Sequence, residues 1–164
     1  MMVFFKNERR EFMKKFFISF IVLFLLVLTV SFGQQYQLEQ LNQAKAKLDF
    51  MEELSDRLSD MGNHTASRYL YGKEMAIKEF FINVYGHLIN TTDSRVLRDT
   101  YVRIKNMYIE EYNLMLDLYN LLKDVDNRGS LHVLAGYNDA KSILDAGGWE
   151  GLEDYQEYVR RVGR

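Results

Sequence analysis

The stretch SRVLRDTYVRIKNMYIEEYNLMLDLYNLLKDV, residues 94–125, settles the fold class. Leu97, Tyr101, Ile104, Tyr108, Glu111, Met115, Leu118, Leu122 and Val125 follow one another at steps of four and three, the period of a coiled-coil seam over about four heptads. A second row, Val102, Ile109, Tyr112, Leu116 and Tyr119, widens the apolar face beyond what a two-stranded coil buries. This helix belongs in a bundle with several neighbours. Asp93 is the expected N-cap, and Asp126-Asn127-Arg128-Gly129 is the expected stop.

Upstream, Leu38, Leu41, Ala44, Leu48, Met51, Leu54, Leu58 and Met61 share one stripe of a helix over Tyr36–Met61, which Gly62-Asn63 ends. Thr65 or Ser67 is placed to cap a second helix running to about Ile89, with Leu70, Ile77, Phe80, Phe81, Val84, Tyr85 and Leu88 as its apolar residues. Gly72 and Gly86 weaken that helix by about 1 kcal/mol each relative to Ala, a cost that close helix approach would explain. Downstream the pattern is shorter: a helix over Tyr137–Ala146, a Gly147-Gly148 hinge, and a terminal helix over Trp149–Val162. The expected fold is all-α: an N-terminal hydrophobic helix, then an antiparallel bundle of three long helices plus a shorter C-terminal element. The absence of proline from the chain agrees with long uninterrupted helices.

Residues 16–30 fix the expected compartment. Thirteen of these fifteen are Leu, Ile, Val or Phe, worth about 4 to 8 kcal/mol towards the bilayer on an insertion scale. Residues 1–15 form a basic n-region with Lys6, Arg9, Arg10, Lys14 and Lys15 against Glu8 and Glu11. The positive-inside tendency keeps them cytoplasmic and sends residues 34–164 outward. The apolar segment over 16–33 reads in two ways. As a single-pass anchor, residues 16–32 rise only about 22 to 26 Å against a hydrocarbon core of about 30 Å. As a signal peptide starting at Met1 or Met13, it offers Ser31-Phe32-Gly33 for cleavage after Gly33. The first puts the chain in the cell membrane with the bilayer as partner, and the second makes it secreted or periplasmic. Either way residues 34–164 are expected to form one extracytoplasmic domain.

The charge of that domain narrows its partners. The chain has 21 Lys and Arg against 23 Asp and Glu, five of the former and two of the latter before residue 34, so the rest carries a net charge near −5. Nucleic-acid binding, which needs a clustered basic face, is not expected. With no cysteine, neither disulfides nor thiol chemistry are available. No Glu-x-x-His pair of the diiron type occurs, His64, His87 and His132 read as surface or interface groups, and no serine elbow or phosphate loop appears. No cofactor, metal or catalytic set is expected. Glu111, Glu110 or His87 would carry an enzyme reading if there were one.

Glu111 is the most pointed residue, since the seam places its carboxylate among Tyr108, Met115 and Leu118. Unpartnered there, its pKa would rise; otherwise it pairs with a Lys or Arg of a neighbouring helix or specifies register. The exported part also holds fifteen aromatic residues, eleven of them Tyr, a residue type that favours interfaces. Tyr108, Tyr112, Tyr119, Trp149 and Tyr155 are the candidates for a partner surface or an inter-helix pocket. Asn63 and Asn90 begin Asn-x-Thr acceptor patterns in expected inter-helix turns. The sequence thus leads to a non-enzymatic extracytoplasmic helical bundle that binds a protein partner or self-associates. The alternative is a small-molecule sensor holding a ligand near Glu111 and signalling through a partner chain.

Overall fold

A computed structural model describes residues 41–162, and every regular element among them is an α-helix. We label these α1 over 41–60, α2 His64–Thr91, α3 Arg95–Val125, α4 Asn127–Asp145 and α5 Gln156–Val162. The apolar segment over 16–33 and the expected start of the first helix lie outside the described residues. Among those described, no helix is long and apolar enough to cross a membrane.

The helix ends follow from single residues. Gly62, at φ 77, closes α1: its N–H reaches Ser59 O at 2.9 Å, and Asn63 N–H reaches Leu58 O at 2.8 Å. That left-handed turn frees Asn63 to cap α2, its side-chain oxygen accepting from Ala66 N–H at 3.2 Å. Neither Thr65 nor Ser67 is the cap. Gly147, also at φ 77, ends α4 with the same pair of bonds, to Leu144 O and Ile143 O. Ser94 rather than Asp93 caps α3.

The larger correction is α4, which begins at Asn127, ten residues before the expected Tyr137. Asp126 serves both helices: its N–H closes the last turn of α3 on Leu122 O, and its carboxylate accepts from Gly129 N–H at 2.9 Å to open α4. Gly129 is therefore not a stop signal. A Cβ there would lie 2.4 Å from the Arg68 guanidinium, which grips the Asp126 carboxylate at 2.7 Å. The terminal helix is shorter than expected, because residues 147–155 form turns and only Gln156–Val162 is helical.

From Ala44 onward the chain is one compact unit with α2 at its centre. Partners run in opposite order on α2 and α3: Tyr71 with Met115, Lys78 with Glu111, Tyr85 with Tyr101. These helices are antiparallel, and so are α1 and α2, as Ser55 with Ser67 and Glu52 with Lys78 show. Arg68 with Asp126 at one end and Glu79 with Tyr137 further on give α4 the same direction as α2, and where the two helices cross their backbones touch. A Cβ on Gly72 would lie 1.9 Å from Val133 O, and one on Gly136 would lie 1.8 Å from Tyr69 O. The helical cost of these glycines is offset by a contact that no other residue permits.

Gly72→Ala and Gly136→Ala are accordingly expected to cost about 3 kcal/mol or more each. Gly86→Ala, which meets only the movable end of Lys105 at 3.3 Å, is expected to be neutral or to stabilise by up to about 1 kcal/mol. Urea unfolding followed by circular dichroism checks both. Equal effects at the three positions would contradict the backbone contact.

Candidate functional site

Residues 72–78 of α2 are all buried. Seven consecutive helical residues point in every direction around the axis, so this part of α2 is wrapped on all sides. Three of them are ionisable: Lys73 is 0% exposed, and Glu74 and Lys78 are 5% exposed. Each charge must find a partner nearby or give up its charge.

Lys73 Nζ donates to the carbonyls of Asp154 at 2.8 Å and Gly151 at 3.2 Å, pairs with Asp139 at 3.2 Å, and lies 4.9 Å from the Tyr69 ring centroid. It fastens the turns before α5 to the centre of the bundle. Burial lowers its pKa, and Asp139 opposes that. Asp139 is held in turn by the Tyr69 hydroxyl at 2.5 Å, and Tyr69 stacks on Tyr158 of α5 with centroids 4.0 Å apart. Lys78 Nζ donates to Glu52 of α1 at 2.7 Å and Glu111 of α3 at 2.6 Å. Burial alone would lower its pKa, but these two bonds outweigh that and hold it raised.

Glu74 is different. Its Oε1 is buried with no hydrogen-bond partner. Burial first, and the nearby Glu52 second, push its pKa up to about 8 against the pull of Lys78. At neutral pH it is mainly a carboxylic acid. The sequence held the signal for it: Leu70, Glu74, Ile77, Phe81, Val84 and Leu88 step by four and three, the same reasoning that singled out Glu111 on α3.

Glu111 itself is paired, with its side chain 43% exposed; the neighbouring-helix lysine is the outcome the structure shows. Tyr108 is buried, stacked on Phe81 at 4.8 Å and near Tyr85 at 6.1 Å. Tyr112 and Tyr119 pack against the Met75–Met115–Val133 cluster and line an apolar cleft of about 220 Å³ with Leu116, Leu134 and Tyr137. Tyr119 also borders a second open cleft, about 320 Å³, between Tyr71, Leu118, Leu121, Leu122 and Val125. Trp149 is set apart from these, edge-on to Phe80 at 5.0 Å. Tyr155 is half-buried just before α5 and lines neither cleft. Asn63 is the half-buried α2 cap, and Asn90 lies in the last turn of α2 rather than in a loop.

The periodic seam of α3 divides in two. Tyr108 and Met115 turn inward, with Tyr101 and Leu122 half-buried, whereas Leu97, Leu118 and Val125 are exposed together with Met107, Leu114 and Leu121. Met107, Leu114, Leu118, Leu121 and Val125 form an outer strip at steps of seven, four, three and four, with Leu114 62% and Val125 73% exposed. This second apolar face adjoins the buried one, and the 320 Å³ cleft lies at its edge.

The Glu74 environment makes stability depend on pH. Its folded pKa lies above the ordinary 4.5, so the folded state holds the extra proton. The stability it contributes is complete below about pH 4.5 and is lost as pH rises to about 8. Wild type is expected to lose several kcal/mol from this group over that interval, at 1.36 kcal/mol per unit. Glu74→Gln is expected to flatten the slope and to be the more stable protein at about pH 9. Urea unfolding across that range reads both, and an unchanged slope in Glu74→Gln would contradict the assignment.

No protein-family model matches the chain, and neither a curated protein nor a solved structure matches it.

Proposed function

We propose that this chain is a non-enzymatic helical interaction module, carried outside the cytoplasm by residues 16–33 and either tethered there or released after Gly33. Its outer α3 strip is the docking surface. The observation that carries this reading is the strip itself: five large apolar residues on one helical face, exposed among the described residues and adjoining an open apolar cleft. Exposed apolar surface of this kind marks an interaction site in proteins that are otherwise soluble. The 3-4 spacing suits a partner helix laid along it. A small-molecule reading has one supporting feature, the Tyr112–Tyr119–Tyr137 cleft. That cleft is apolar and lies apart from Glu111, so an apolar ligand would be its occupant.

Replacing Leu114 and Leu118 together with Glu tests the docking surface. Both are exposed, so helicity and unfolding free energy are expected to stay within about 0.5 kcal/mol per substitution. Association of the full chain, followed by light scattering in mild detergent and by cross-linking in cells, is expected to fall at least tenfold. Unchanged association would refute the surface, and collapse of the fold would mean that the strip is core.

A further inference from the structure

Resting on that reading, we infer that the occupant of the outer α3 strip is a second copy of this chain, its α3 running antiparallel to the first about a two-fold axis near the middle of the helix.

Charge is distributed unevenly along α3. Residues 95–105 carry Arg95, Arg98, Arg103 and Lys105 against Asp99 alone, and residues 106–125 carry Glu110, Glu111, Asp117 and Asp124 against Lys123 alone. One half is net +3, and the other, with Glu111 already paired to Lys78 of its own chain, is left with net −2. Two copies side by side in parallel would set like charge on like along the whole contact. An antiparallel pair sets each basic half on an acidic half, twice, and its helix dipoles also oppose favourably. Beside the strip runs a row at seven-residue spacing, Arg103, Glu110, Asp117 and Asp124, the place where coiled coils carry the charges that choose orientation. Turning the helix round brings Arg103 to the acidic end of that row. Such a two-fold contact is self-complementary and closed, so it yields a dimer rather than a filament.

The strip has the dimensions for this role. From Met107 to Val125 it spans about 27 Å at 1.5 Å per residue. Its apolar residues continue towards the basic end through half-buried Ile104 and exposed Leu97. Each half of one strip therefore meets apolar side chains on the other.

The chain has no cysteine, so single cysteines can be read without background. We would place one at a time at Arg103, Met107, Glu110, Leu114, Leu118 and Leu121 in the full chain in membranes, and oxidise mildly with a copper catalyst. Disulfides need Cα atoms within about 7 Å. The antiparallel pair predicts homodimer bands at one central position, fading towards both ends, and a band between the two ends only when Arg103→Cys is mixed with a variant from the acidic end. Bands recurring along the whole strip would mean a parallel pair and overturn the inference. Bands at none would mean another occupant, and would also overturn it. In that last case the docking surface itself still stands if the Leu114 and Leu118 double variant changes the full chain's association.

Discussion

Two turns of α2 surrounded by protein on every side set the terms for the rest of the molecule. Residues 72–78 leave no face to water, so each neighbour must supply either apolar surface or the counter-group to a buried charge. Glu52 from α1 and Glu111 from α3 meet on Lys78; Asp139 from α4 and two carbonyls of the turns before α5 meet on Lys73. Replacing only one member of such a set leaves a buried charge unmatched. The polar contacts thus fix which helices surround α2 and at what height, and the apolar contacts fill in between them.

The glycine crossing of α2 and α4 has a related consequence. Because Gly72 and Gly136 let the two backbones touch, α4 lies close along α2, while α3 packs through its aromatic side chains, Tyr108 and Tyr101 against Phe81 and Tyr85. Only one flank of α3 is used in this way. The apolar arc of α3 is wider than the surface its neighbours offer, and the remainder faces outward as the strip from Met107 to Val125. A continuous exposed apolar face is thereby present without any loop devoted to it.

The all-helical character was legible because the 3-4 period over residues 94–125 runs without interruption and nothing in the chain opposes it. The position of the buried face was only half legible. Periodicity defines an apolar arc but not which part of it neighbours cover, so Leu118 and Val125 shared a row with Met115 and Leu122 yet lie on the opposite side of the boundary. The first ten residues of α4 were hidden because Asp126-Asn127-Arg128-Gly129 read as a stop and the apolar pattern was placed only from Tyr137. What surrounds Gly129 and Gly136, the Arg68 guanidinium and the Tyr69 carbonyl, comes from more than fifty residues away in the chain. Glu111 drew attention for a sound reason, but its equivalent on α2, Glu74, is the one with a buried carboxylate oxygen that no donor meets. The lysine that Glu111 gains is Lys78, four residues beyond Glu74 on α2, and it reaches across to α1 and α3.

The wrapped core of α2 shows most directly in the protonation of Glu74. Carbon-13 labelling of glutamate side chains in the full chain in micelles, with Glu74→Gln to assign the resonance, follows that carboxyl through a pH titration by NMR. The account predicts one glutamate that titrates at about pH 8 and vanishes in the variant. Titration of every glutamate near the ordinary value of about 4.3 would show that water or a cation reaches the centre of α2, and would contradict the wrapped core.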